Sequence, residues 1–173
     1  MRYFLIKTDR RVSDAPNIIN WVSKINPAYL KVGSYYKIDN RTVLEIESNK
    51  NTVFTEIITF PFLLISKKIK EIIAKYEPTL KYKEIILLDS DNNLMQVYYM
   101  PILEEIDCLT EGTVFNLDHS VIEHGVIQRN KVGECSIFSL AEVKNRYIAV
   151  RLDVLESILR RDAIVTVKEL EVR

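Results

Sequence analysis

The stretch from Phe62 to Met100 constrains the fold more than any other, because it encodes a strand, a helix and a hairpin in one run. Phe62-Leu63-Leu64-Ile65 is unbroken apolar sequence, as in a strand buried on both faces or entering a packed corner. Ser66 stands where a helix N-cap belongs, its hydroxyl able to accept from an orphan backbone N–H of the first turn. Over Lys67 to Tyr76, the residues Ile69, Ile72, Ile73 and Tyr76 recur at i, i+3, i+4 and i+7 and form one apolar stripe. Lys67, Glu71 and Lys75, at i+4 steps, make the solvated face opposite. Pro78 stops the helix, since it lacks an N–H and holds Glu77 away from helical angles. Tyr82 to Leu88 reads as a strand, Asp89-Ser90-Asp91-Asn92-Asn93 as its turn, and Leu94 to Met100 as the returning arm. Burying the four stripe residues stabilises this unit by roughly 1.5–3 kcal/mol each before chain entropy is subtracted.

The end of the chain repeats that opening. Arg146 to Val150 reads as a strand, Leu152 to Arg161 as a helix and Ile164 to Val172 as a closing strand. Leu152, Leu155, Ile158 and Leu159 are expected inward. Asp153 in the first turn and Arg160 and Arg161 in the last match the helix dipole. Lys83-Glu84-Ile85 finds a counterpart in Lys168-Glu169-Leu170. A packing module used twice and an internal duplication explain this echo equally well. Two strand-helix-strand units suit an α+β fold, a mostly antiparallel sheet with helices packed on one side.

Elsewhere the pattern is shorter. Residues 2 to 7 read as a first strand, Asp9 to Asp14 as a polar turn, and Asp14 or Asn17 as the cap of a short helix. That helix carries Ile18, Ile19, Trp21, Val22 and Ile25 and stops before Pro27. Trp21 on such a stripe is expected to pack in the core. Tyr35 to Ile38, Thr42 to Glu47 and Val53 to Thr59 suggest an antiparallel meander. Pro101 to Leu109 reads as a strand or a short connection. Leu109 to Glu134 has no sustained period, with strand pieces around Val121 and Val126, followed by a strand from Cys135 to Leu140.

Composition narrows the function classes. A chain of 173 residues suits one domain, with residues 61–173 as the core unit and residues 1–60 as an N-terminal lobe. Its 24 basic and 24 acidic residues cancel, which argues against binding nucleic acid or anionic membrane through excess positive charge. Glycine numbers four, where average usage near ~7% would give about twelve. Phosphate-cradling loops need more. The first strand carries charges too early for a signal peptide, and no apolar run approaches the ~18 residues of a membrane span. Cys108 and Cys135 make no disulfide framework, and free thiols fit a reducing cytoplasm.

Residues with reactive groups form no completed motif. Cys108, His119, His124 and Cys135 gather all the cysteine and histidine, but lack the close ligand pairs that structural zinc sites use. Asp89-Ser90-Asp91-Asn92-Asn93 begins like a calcium loop, yet Leu94 and Met100 stand where Gly and Glu belong. Gly133-Glu134-Cys135-Ser136-Ile137 lacks the second glycine of a nucleophile elbow. No catalytic residue, metal ligand or cofactor is assigned. Glu104, Glu105 and Asp107, with Asp89, Asp91, Asp118 and Glu123, make the middle of the chain locally acidic and are the expected partner-binding residues. Glu104, Glu105 and Asp107 read equally as a solvated strand edge that deters aggregation or as paired carboxylates for acid–base work.

The run Leu64-Ile65-Ser66-Lys67-Lys68-Ile69-Lys70-Glu71-Ile72, then Glu77-Pro78 and Glu84-Ile85-Ile86-Leu87-Leu88, carries a family resemblance. So do Val97-Tyr98-Tyr99 leading to Ile106-Asp107-Cys108-Leu109, Ile137-Phe138 and Ile148-Ala149-Val150. Over about residues 54 to 173 the chain resembles a bacterial family of domains of unknown function grouped with the immunity proteins of polymorphic toxin systems. The resemblance implies a small cytoplasmic protein that binds and neutralises a cognate toxin domain, which fits the absence of a catalytic motif and the neutral charge that argues against a nucleic-acid or membrane partner. A small hydrolase using the central carboxylates, or Cys135 with a histidine, is the second reading. A module that self-associates through an exposed strand is the third.

Overall fold

The computed structural model describes residues 1–9 and 15–173. In chain order its strands are β1 (Tyr3–Thr8), β2 (Asn17–Ile19), β3 (Arg41–Glu47), β4 (Ile57–Ile58), β5 (Leu64–Ile65), β6 (Tyr82–Asp89) and β7 (Leu94–Pro101). They continue with β8 (Glu105–Ile106), β9 (Val114–Phe115), β10 (Ile122–His124), β11 (Val126–Ile127), β12 (Ile137–Leu140), β13 (Ile148–Arg151) and β14 (Val165–Val172). Helices α1 (Lys67–Tyr76), α2 (Arg129–Val132) and α3 (Leu152–Leu159) are interspersed. One six-stranded sheet runs β2-β3-β6-β7-β5-β4, another runs β11-β14-β1-β13-β12-β8, and β9 and β10 pair apart. Most neighbours are antiparallel; β3–β6, β8–β12 and β11–β14 are parallel. The fold is α+β.

Both strand-helix-strand units share one topology. In β5-α1-β6 the two strands flank β7, and each runs antiparallel to it. In β13-α3-β14 they flank β1 in the same way. The middle strand follows the first unit along the chain but comes from the chain start in the second. Residues 1–60 are therefore divided between the two sheets: β1 lies inside the second, and β2, β3 and β4 belong to the first.

Helix α1 follows from its sequence. Ser66 Oγ accepts from the Ile69 N–H at 3.3 Å, and the Glu77 N–H closes the last turn on the Ile73 carbonyl at 2.9 Å. Ile69, Ile72 and Ile73 are buried, while Tyr76 is half-buried and crosses to α3, where its hydroxyl lies 2.6 Å from Ser157 Oγ. The inward faces of both units, with Phe4 and Ile6 of β1, fill a single apolar cluster. The opposite faces are covered by irregular chain. Ile25, Leu30 and Ile38 lie over the first sheet, and Cys108, Ile122 and Val132 over the second.

Several expectations give way to tertiary packing. The helix expected over Ile18 to Ile25 is instead β2 followed by a 3-10 turn at Trp21–Ser23. Asn20 at φ 54° turns the chain there, a left-handed angle that asparagine tolerates, and the β-branched Ile18 and Ile19 suit a strand. Trp21 is half-buried, edge-on to Phe62 at 5.8 Å. Tyr35–Lys37 is a 3-10 turn and not a strand, and the strand expected over Val53 to Thr59 shortens to β4. The meander is replaced by a crossover, because β3 pairs with β6 in parallel. On α3 the inward residues are Val154, Leu155 and Ile158, whereas Leu159 is 43% exposed. Arg160 and Arg161 fall just past its end. The expected cap at Asp14, and the turn leading to it from Arg10, lie outside the described residues.

Candidate functional site

The acidic residues singled out by the sequence are held at separate places on the two sheets. Asp89 and Asp91 belong to the β6–β7 turn of the first sheet. Asp89 is an internal turn anchor: one oxygen accepts from the Asp91 and Asn92 N–H groups at 2.9 and 3.0 Å. The other accepts from the Asn92 side chain at 2.9 Å and from the Ser48 hydroxyl. Those donors, the Asn92 amide first, hold its carboxyl far below the usual carboxylate range.

Glu104, Glu105 and Asp107 lie along the β8 edge of the second sheet. Glu105 bonds Lys31 at 2.8 Å and Arg146 at 3.1 Å. Burial alone would raise its carboxyl, but the hydrogen bonds and charges of those two cations outweigh it and set it below its ordinary value. Asp107 meets Lys131 at 3.3 Å, and Asp118, on the β9–β10 connection, meets Lys144 at 3.7 Å. Glu104 and Glu123 are exposed. Three of the seven expected residues, Glu105, Asp107 and Asp118, are thus paired with basic neighbours of their own chain.

The cysteines and histidines do not converge; among the described residues no three His, Cys, Asp or Glu side chains form a metal-holding group. Cys108 is buried in the outer core of the second sheet. His119 stacks on Phe115 at 5.2 Å, and His124 is exposed beside Glu171 at 3.0 Å. Glu104 and Cys135 do share a cleft of about 220 Å³ with Glu77 and Lys81. Its chemistry opposes nucleophilic attack. Burial first, then the Glu77 charge, pushes the Cys135 thiol up to about 11, and its Sγ donates to the Ile137 carbonyl at 3.3 Å. Glu77 itself accepts the Ser136 N–H and hydroxyl, both at 2.7 Å, and so ties the end of α1 to the second sheet.

The surface with an unmatched character lies elsewhere, on the face of the first sheet that α1 leaves open. Register aligns Arg41, Glu84 and Tyr99 in one row, Val43, Ile86 and Val97 in the next, and Glu45, Leu88 and Met95 in a third. The Lys70 ammonium sits 3.9 Å from the Tyr99 ring centroid, so α1 reaches the first row. Beyond it, Val43 is 42% and Met95 62% exposed, and Ile86, Leu88 and Val97 are half-buried. At the rim, Glu45 and Glu47 accept only from the amides of Asn20 (3.3 Å) and Asn17 (2.9 Å) among the described residues. Among the described residues these carboxylates thus have no ion pair, unlike Glu105, Asp107 and Asp118. Sequence reasoning passed over this face. The signal was present in β3, where Thr42, Leu44 and Ile46 are buried under the irregular chain and Val43 stands alone among charged residues on the α1 side.

No helix among the described residues is long and apolar enough to cross a membrane. No protein-family model, curated protein or solved structure matches the chain.

Proposed function

We propose that this chain is a protein-binding module of the immunity type, acting in the cytoplasm by covering a cognate bacterial toxin domain. The observation that carries this reading is the open face of the first sheet, with Val43, Ile86, Leu88, Met95 and Val97 at its centre and Glu45 and Glu47 at its rim. An apolar centre bordered by unmatched carboxylates complements a basic protein surface such as a nuclease-type toxin presents. The apolar contacts would supply affinity through burial, and the carboxylates would steer encounter and fix register. The resemblance of residues 54 to 173 to immunity-type sequences points the same way. The test is co-expression with the toxin-type domain that this reading predicts to be encoded beside the chain: growth should be restored and the purified pair should co-elute. A folded chain that neither binds that domain nor restores growth overturns the proposal.

A further inference from the structure

A cavity of about 360 Å³ lies between the outer face of the second sheet and the covering segment at Val121–Ile122. Its position follows from register. Leu5 pairs with Lys168 and Lys7 with Thr166, so alternate residues of β1 and β14 send these side chains to one face. Leu5, Ile122, Val121 and the Tyr147 ring form apolar walls. The volume falls in the range of small-molecule pockets, roughly 300–1,000 Å³.

Two ammonium groups border these walls. Lys168 Nζ donates to the Ile122 carbonyl at 2.9 Å, which fixes its position while leaving its other N–H groups free for a ligand. Lys7 Nζ sits 4.4 Å from the Tyr147 ring centroid, held by the face of the ring. Neither lysine forms an ion pair with a carboxylate among the described residues. Tyr147 is anchored in turn, its hydroxyl donating to the Ser120 carbonyl at 2.7 Å. Asp9 also borders the cavity and has an interaction of its own. Two lysines against one aspartate leave the lining with an excess of positive charge.

We propose that this cavity is a binding site for a small amphipathic anion, an aromatic carboxylate whose ring lies against Leu5, Ile122 and Tyr147 while its carboxylate meets Lys7 and Lys168. The site is independent of the open face of the first sheet. Charge-assisted hydrogen bonds to the ammonium groups give the anion its preference over a neutral molecule of the same shape.

The experiment titrates the full chain with 1-naphthoate and with the neutral 1-naphthylmethanol, following naphthyl fluorescence and amide chemical shifts. The expected result is saturable naphthoate binding, shifts confined to residues around Leu5, Lys7, Tyr147 and Lys168, and naphthylmethanol weaker by about tenfold or more. Lys7→Met and Lys168→Met should each weaken naphthoate by about tenfold and leave naphthylmethanol unchanged. Thr166→Trp, at an exposed side chain that shares the cavity face with Lys7 and Lys168, should fill the cavity and remove both ligands while the thermal melt is retained. No saturable binding, equal affinity for the two probes, or an affinity indifferent to all three substitutions would overturn the proposal.

Discussion

Thr8 and Thr59 each donate a backbone N–H to the other's hydroxyl oxygen, at 2.9 and 2.8 Å, and the two hydroxyl oxygens lie 3.0 Å apart. Thr8 ends β1 and Thr59 follows β4, so the pair joins the middle of one sheet to the edge of the other. Valine at either position keeps the side-chain volume and strips the acceptor. Thr59→Val should cost about 1–2 kcal/mol, seen as a fall in Tm of roughly 2–8 °C, because the Thr8 N–H is left without its partner. Thr8→Val should cost a similar amount. The hydroxyl–hydroxyl bond is lost in both single variants, so the double variant should lose less than their sum. Additive losses would mean that the clasp does not act as a unit.

Two leucines on α3 test the phase of that helix. Leu155 is 3% exposed in the shared core, and Leu159 is 43% exposed. Leu155→Ala should destabilise by about 2–5 kcal/mol through transfer and cavity terms. Leu159→Ala should stay within about 0.5 kcal/mol of the parent. Urea denaturation of both variants checks this, and equal losses would contradict the observed packing.

Acid should loosen the β6–β7 turn. The Asp89 carboxyl titrates below its ordinary value when folded and near ~3.9 when unfolded, so the unfolded state binds the proton first as pH falls. The stabilisation is therefore fully present above about pH 4 and drains away as acid approaches the folded value. Asp89→Asn presents an amide N–H₂ to donors that need an acceptor, and should lower Tm at pH 7. The gap to the parent should narrow steadily below about pH 4 in thermal melts. A gap that does not change with pH would assign the turn's strength to shape and not to charge.

The two helical units were legible because their information is local. Ser66, the Ile69-Ile72-Ile73 stripe and Pro78 specify α1 without help from the rest of the chain. The echo between Lys83-Glu84-Ile85 and Lys168-Glu169-Leu170 corresponds to equivalent places in the two sheets. Ile85 and Leu170 both enter an outer core, and Lys83 and Lys168 donate to Asn40 and Ile122 over the same outer faces. Glu84 and Glu169 each pair with an arginine from a neighbouring segment, Arg41 and Arg2. Residues 17 to 38 were not legible in the same way. Their apolar residues meet the first sheet at irregular intervals, and a helical period over Ile18 to Ile25 arises by coincidence from two strand residues and one turn.

The candidate surface was hidden for a related reason. Charge along a sequence does not reveal which acids find cations in space. Glu105 and Asp107 looked available until Lys31, Arg146 and Lys131 were brought to them from elsewhere in the chain. Glu45 and Glu47 looked like ordinary strand polarity, and their lack of a basic partner among the described residues depends on which strands flank β3.

The most direct test of the protein-binding account is titration calorimetry between the chain and the toxin-type domain that the account predicts to be encoded beside it, comparing parent, Val43→Asp with Met95→Asp, and Glu105→Gln. Both substituted apolar positions are exposed, so the fold should persist, as far-UV circular dichroism would show. The account predicts tight binding by the parent, loss of at least about a hundredfold in the Val43→Asp/Met95→Asp variant, and little change with Glu105→Gln. Undiminished binding by the folded double variant, or loss confined to Glu105→Gln, would contradict it.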